Sequence, residues 1–190
     1  MAVGQYLLGL AETNPLYPFI LVSLLVGCAI VPVSLTRSLA PVPVPATRFS
    51  FSKLYRRSHT AFAGGLGSGV ITGSFWALGA IYVLAQTNDP SFVPAFIAAN
   101  IIGGALAQYP IGMASDRIDR RFVLSALCAA SGLSAFGLLY AETQQELLLG
   151  AFAFGAAANS LYAISLAKAA DNSKRDEFVT LGSSVLLLCA

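Results

Sequence analysis

A dense cluster of charged side chains in this sequence lies between Gly112 and Arg121. Its two carboxylates are Asp116 and Asp119, and its cationic side chains are all arginines. Charges of opposite sign at this spacing can form ion pairs, and arginines can anchor a loop beside a neighbouring element. The alternative is a basic loop that fixes only the orientation of the chain. The arginines are Arg117, Arg120 and Arg121.

A second set of chemically capable residues consists of polar side chains inside long apolar stretches. Asn100 and Gln108 carry amides that need partners in hydrocarbon, so we expect them to form hydrogen bonds between helices. Asn159, which lies near Tyr162 in mid-stretch, is the candidate for contact with a solute, with interhelical packing as the alternative. Trp76 occupies a comparable position in another stretch.

Residues for covalent or metal chemistry are scarce. His59 is the single histidine, and its position after a basic segment predicts a loop residue rather than a catalyst or ligand. Cys28, Cys128 and Cys189 lie in apolar runs without a CxxC pair, as small hydrophobic residues do. An intramembrane enzyme would need a buried nucleophile and base or a metal cluster. We therefore expect no enzyme, no metal, no cofactor and no nucleic-acid partner.

The composition indicates that these residues are positioned by membrane helices. The chain has 190 residues, of which 56% are hydrophobic and 11% charged, whereas soluble domains carry about 25% charged residues. At about 20 residues per crossing, the length accommodates five or six helices. We predict an all-α membrane protein with five complete spans at residues 15–35, 60–85, 92–113, 122–140 and 147–167.

Lys and Arg residues occur in every second connection between these spans. All 11 Lys and Arg residues lie in three segments, at residues 36–59, 114–121 and 168–177. The other connections carry acidic residues and no Lys or Arg. By the positive-inside rule, the three basic segments face the cytoplasm and the protein is a multi-pass protein of the plasma membrane. The acidic residues of the other connections are Glu12, Asp89, Glu142 and Glu146.

The first basic connection differs from the others because three prolines alternate at residues 41, 43 and 45. Such a run favours an extended spacer, so residues 37–59 are predicted to link two helical bundles. Residues 1–36 then end the first bundle, and residues 60–190 form the second. Small residues at four-residue spacing predict close helix packing. They are Gly65, Gly69 and Gly73, then Ala95, Ala99 and Gly103, then Gly150, Ala151, Gly155 and Ala158.

The segment Gly112-Met-Ala-Ser-Asp-Arg-Ile-Asp-Arg-Arg121 resembles the cytoplasmic loop signature of the major facilitator superfamily, G-x-x-x-D-R-x-G-R-R/K. Asp119 stands where the signature has glycine, which puts the turn geometry in question. The likeness extends over essentially the whole chain. Residues 31–41 and 161–172 look like the YcaD-type branch of bacterial permeases.

This resemblance implies a partial superfamily fold. Residues 1–10 would end helix five, residues 15–35 would form helix six, and helices seven to ten would follow the central loop. Residues 178–190 would begin helix eleven. We therefore expect a fragment that lacks much of the N-terminal half of a transporter and is not active alone.

The implied function is alternating-access transport of an unidentified small solute across a lipid bilayer. The resemblance assigns a cytoplasmic gate to Gly112 and the charged residues that follow it, Asp116, Arg117, Arg120 and Arg121. It also assigns a cavity-lining role to the helices of Trp76 and Asn159, with Tyr162 beside the latter. The alternative is a membrane subunit for interaction or sensing that transports nothing.

Overall fold

The structure of the chain is a computed structural model that describes residues 16–35, 55–56, 58–171 and 186. All regular elements in these ranges are helices, which confirms the all-α prediction. They are α1 (Tyr17–Leu35), α2 (His59–Thr87), a 3-10 turn (Pro90–Phe92), α3 (Val93–Arg117), α4 (Arg120–Leu138) and α5 (Gln144–Asp171). The predictions for residues 1–10, for most of the central loop and for residues 178–185 and 187–190 lie outside the described residues.

Four of these helices are long and apolar enough to cross a membrane, namely α2, α3 with its preceding turn, α4 and α5. They confirm the four spans predicted after residue 59. The first predicted span, at residues 15–35, coincides with α1, which has 19 residues and carries no charge. That length is close to the ~20 residues that a crossing requires, and the fifth span stays a prediction.

The helices begin and end at residues with clear capping chemistry. The Ser58 hydroxyl accepts a hydrogen bond from the first turn of α2 at 3.2 Å, so His59 opens this helix and is not the loop residue we predicted. Asn88 ends α2 in the left-handed conformation, with φ 52°. Before α5, the Glu146 carboxylate accepts the Thr143 N–H at 3.1 Å, and the Thr143 hydroxyl accepts the Glu146 N–H at 3.2 Å.

The helix α5 forms the centre of the bundle. It packs extensively against α2, α3 and α4, whereas these three contact one another little. Half of its most apolar stretch is buried, compared with 22 to 28% for the other three spans. Different faces of α5 therefore contact α2, α3 and α4. The face on which an α5 residue lies decides which of these helices it contacts.

The closest backbone approach in the bundle joins α3 to α5. A Cβ atom added at Gly103 would overlap the carbonyl of Phe152, and one added at Gly155 would overlap the carbonyl of Asn100. This reciprocal contact confirms the close packing predicted for Gly103 and Gly155. The stripe predicted on α2 is confirmed only in part, because Gly65 is buried whereas Gly73 has open space around it among the described residues.

Candidate functional site

A cavity of about 420 Å³ lies between α2, α3 and α5. Its α2 side consists of Ser68, Thr72 and Trp76, which share one face because they recur every four residues. Its other walls combine small, apolar and amide side chains. They are Ile101, Gly104, Ala105 and Gln108 from α3, and Ala158, Asn159 and Tyr162 from α5.

The three residues singled out for a cavity role meet in this one space. Trp76, Asn159 and Tyr162 come from two helices and all line the cavity. Trp76 is 47% exposed, so a large part of its indole surface is open to a neighbouring molecule. The structure thus brings the predicted residues together, and their contact with a solute stays a prediction.

Asn159 also bridges two helices. Its side-chain N–H₂ donates to the backbone carbonyl and the side-chain oxygen of Asn100, at 3.4 Å each. Asn100 is only 2% exposed, and this contact gives its buried side-chain oxygen a partner on another helix, as predicted for that residue. Gly104 leaves room for the Asn159 side chain, because a Cβ there would overlap it. Gln108 instead lines the cavity and makes no side-chain hydrogen bond to a described residue, contrary to our expectation.

Sequence reasoning missed five cavity residues, Ser68, Thr72, Ile101, Gly104 and Ala105. Ser68 and Thr72 could have been found, since they form a polar and aromatic line with Trp76 at four-residue spacing within an apolar helix. No comparable pattern marks Gly104. Its role depends on the side chain of Asn159 on another helix, and that pairing is set by how α3 and α5 cross.

A second cavity, of about 450 Å³, lies mainly between α2 and α4 and has a different character. Its walls are almost wholly aliphatic and aromatic, and they include Phe75 and Phe154, whose rings stack with centroids 5.3 Å apart. Val70 and Leu78 lie on its rim and are mostly exposed. A space of this kind suits packing or hydrocarbon, so the polar cavity is the better candidate for solute contact.

The charged segment between α3 and α4 is tied to the end of α5. The Arg120 guanidinium lies 3.4 Å from the Asp116 carboxylate and 3.2 Å from that of Asp171. The Lys168 ammonium lies 3.6 Å from the Asp119 carboxylate. The segment therefore forms the predicted kind of ion pairs, and all of those seen among described residues stay within the α2 to α5 bundle.

Asp119 provides the turn that the sequence left in question. Its carboxylate accepts the backbone N–H of Arg121 at 2.9 Å and so caps α4. Its φ of −56° is an ordinary value, and the turn does not require glycine. The hydrogen bond from Arg121, followed by the nearby Lys168 charge, lowers the pKa of Asp119 below its usual value despite an opposing effect of desolvation.

The remaining residues of the charged segment make fewer contacts. Arg117 and Arg121 are exposed at the end of the bundle. A Cβ at Gly112 would meet no atom within 4 Å among the described residues, so its packing role stays a prediction. In the part of the chain that the structure describes, no three His, Cys, Asp or Glu side chains form a metal-binding group.

Comparison with known proteins gives a consistent result. The family model described as Major Facilitator Superfamily matches residues 61–189. The chain is 25% identical over 187 residues to the uncharacterized MFS-type transporter YcaD of Escherichia fergusonii, covering 97% of the chain and 48% of that protein. It is 27% identical over 195 residues to an uncharacterized MFS-type transporter of Yersinia pestis, with the same coverages. The chain spans about half the length of these curated relatives. No solved structure matches it.

Proposed function

This chain belongs to the major facilitator superfamily, and we propose that it forms part of the pathway by which a secondary transporter moves a small solute across a membrane. It is a multi-pass membrane protein, as its long apolar helices and its similarity to named transporters indicate. The observation that carries the proposal is a cavity in which polar side chains from three apolar helices converge. Secondary transporters bind their solutes between helices near the middle of the membrane.

We place the protein in the bacterial plasma membrane with its basic segments, residues 36–59, 114–121 and 168–177, in the cytoplasm. Ion pairs bring the α3–α4 turn beside the C-terminal end of α5, and Ala61 at the start of α2 packs with Ala169 there. The described acidic residues without basic neighbours in sequence lie at the opposite end, in the connections before α3 and α5. This separation of charge supports the orientation under the positive-inside rule.

We assign the cytoplasmic gate to the charged segment. Arg120 pairs with carboxylates on both α3 and α5, so the segment and the cytoplasmic end of α5 would move as one body. Alternating access needs such coupled, rigid movements of a bundle. In a complete carrier, this bundle would form one wall of the pathway. The gate residues are Gly112, Asp116, Arg117, Arg120 and Arg121.

A cysteine-labelling experiment tests whether the cavity is a solute pathway. In a chain whose three native cysteines are replaced by alanine, Thr72→Cys should react with a membrane-impermeant maleimide, because a solute pathway opens to water. Val70→Cys is the matched control. It lies two residues away on α2, is 61% exposed and faces away from the polar cavity.

Equal protection of both cysteines from the reagent, added to either side of the membrane, would contradict the pathway and favour a subunit that transports nothing. The same readout tests the gate. Asp116→Asn should change the labelling of Thr72→Cys from the cytoplasmic side, because it weakens the ion pair with Arg120 that helps to hold the charged segment to the bundle. Unchanged labelling in that background would count against the gate assignment.

A further inference from the structure

We infer that the polar cavity is built to receive a neutral, ring-bearing polar molecule and to disfavour ions, an inference that rests on the proposed transport function. Among the residues that the structure describes, its walls contain hydroxyl, amide and aromatic groups and no Asp, Glu, Lys or Arg. The described charged residues all lie at the two ends of the bundle. This wall of the pathway therefore offers no counter-charge to an ion of either sign.

The absence of counter-charge on this wall has an energetic consequence. An ion that leaves water for a space between apolar helices loses its hydration, and only an opposite charge or many hydrogen bonds restore that loss. A neutral polar molecule loses much less, and single hydrogen bonds can replace those it made to water. The cavity wall is thus selective by charge even before any particular solute is considered.

The polar groups of the wall can both donate and accept hydrogen bonds. Gln108 presents a carbonyl oxygen and an amide N–H₂, and Thr72 and Tyr162 present hydroxyls. Gln108 has no described hydrogen-bond partner within the protein, so its amide is available to a ligand. Asn159 is held by Asn100 only through contacts of 3.4 Å, which are long for hydrogen bonds. Hydroxyl or amide substituents on the solute fit these groups.

The aromatic residues favour a ring in the solute. Trp76 and Tyr162 belong to different helices and both line the same cavity. Aromatic side chains in a cavity wall can stack on or pack against a flat or ring-shaped molecule, and such contacts contribute beyond the burial of area alone. The cavity volume of about 420 Å³ lies within the range of about 300 to 1,000 Å³ seen for small-molecule sites. A single substituted ring fits within it.

The test uses the fluorescence of Trp76, because it is the sole tryptophan of the chain. The chain is reconstituted in nanodiscs and titrated at pH 7 with three pyridine probes of the same size: neutral nicotinamide, anionic nicotinate and cationic 1-methylnicotinamide. We expect nicotinamide to quench with a constant about tenfold larger than either ion, since an uncompensated charge is costly in such a site. Comparable or stronger quenching by either ion would overturn the inference while leaving the solute pathway intact.

Two variants separate entry into the cavity from partition into lipid. Phe136→Trp in a Trp76→Phe background moves the fluorophore to an exposed position on α4, where the preference for nicotinamide should vanish. If it persists there, the preference arises from the lipid and the inference fails. Gln108→Glu should raise quenching by the cation and lower quenching by the anion at Trp76. No change in that variant would also overturn the inference.

Failure of the inference and failure of the transport proposal give different results. If none of the probes quenches Trp76 but Thr72→Cys is labelled from water, the pathway stands and the ring-binding inference is wrong. If Thr72→Cys is also protected, both fail together. Quenching that is selective for nicotinamide, lost at residue 136 and altered by Gln108→Glu supports both.

Discussion

The helix α3 meets α5 and α2 in opposite ways. Against α5, it offers Gly103 and receives Gly155, so that two backbones touch without intervening side chains. Towards α2, it stands apart, and the gap is the polar cavity. The difference shows that small residues produce a close crossing only where both helices contribute them at matching levels. Towards α2, which presents the large side chain of Trp76, the small residues Gly104 and Ala105 of α3 line the polar cavity.

The largest expected effect comes from filling the close crossing. Gly155→Ala should destabilise the bundle by about 1 to 3 kcal/mol, because the added methyl group meets the backbone of Asn100, which cannot rotate away. Gly73→Ala is the matched control, with open space at its position. The thermal unfolding midpoint in detergent measures both. Equal midpoints for the two variants would contradict the conclusion that Gly155 is closely packed and that Gly73 is not.

A smaller effect is expected at the border between the two regions. Asn159→Ala removes the long contacts to the buried Asn100 and the side chain that packs against Gly104, and together these losses should cost about 1 kcal/mol. Gln108→Ala lies in the same cavity without a described partner and should change stability by less than about 0.5 kcal/mol. If chemical unfolding gave equal losses of unfolding free energy for the two variants, the Asn159 contact with Asn100 would not stabilise the bundle more than the cavity wall does.

The smallest effect is expected at the charged end, where solvent screens the interactions. Asp119→Asn keeps a capping side chain but loses the charge beside Lys168. Because the pKa of Asp119 is lowered in the folded state, its charge stabilises the fold above the unfolded value of ~3.9. That contribution disappears as the pH falls through the lower folded value.

The stability difference between wild type and Asp119→Asn should therefore be present at neutral pH and shrink in acid. Unfolding midpoints measured across that range, at low and high salt, check the sign. A difference that grows in acid would contradict the lowered pKa, and one insensitive to salt would argue against the Lys168 pair.

Much of the fold could be predicted from the order of apolar and charged residues along the chain. Apolar length predicted α2 to α5, because a hydrocarbon layer of fixed thickness sets the length of a span. Charge alternation predicted which helix ends share a side. Capping at Ser58 and Asp119 is also local chemistry. The signature nevertheless marks Asp119 only as a departure from glycine, because a signature records residue types and not the hydrogen bonds that they make.

The site was less accessible to prediction, because it depends on which faces meet. Asn159 and Trp76 could be singled out as polar or large side chains in apolar helices, and the structure brings them together. The α2 stripe could be placed only in part. Gly65 is buried as predicted, whereas Gly73 has open space around it among the described residues, and Gly64, which was not in the predicted stripe, packs against Ser165. Periodicity identifies a face but does not identify its partner.

The central position of α5 has a consequence for how the protein is made. Ribosomes release helices in chain order, so α2, α3 and α4 enter the membrane before the helix that each of them packs against most. Until α5 arrives, the side chain of Asn100 lacks its contact with Asn159. Assembly of the bundle is then completed by the last of these four helices to be made.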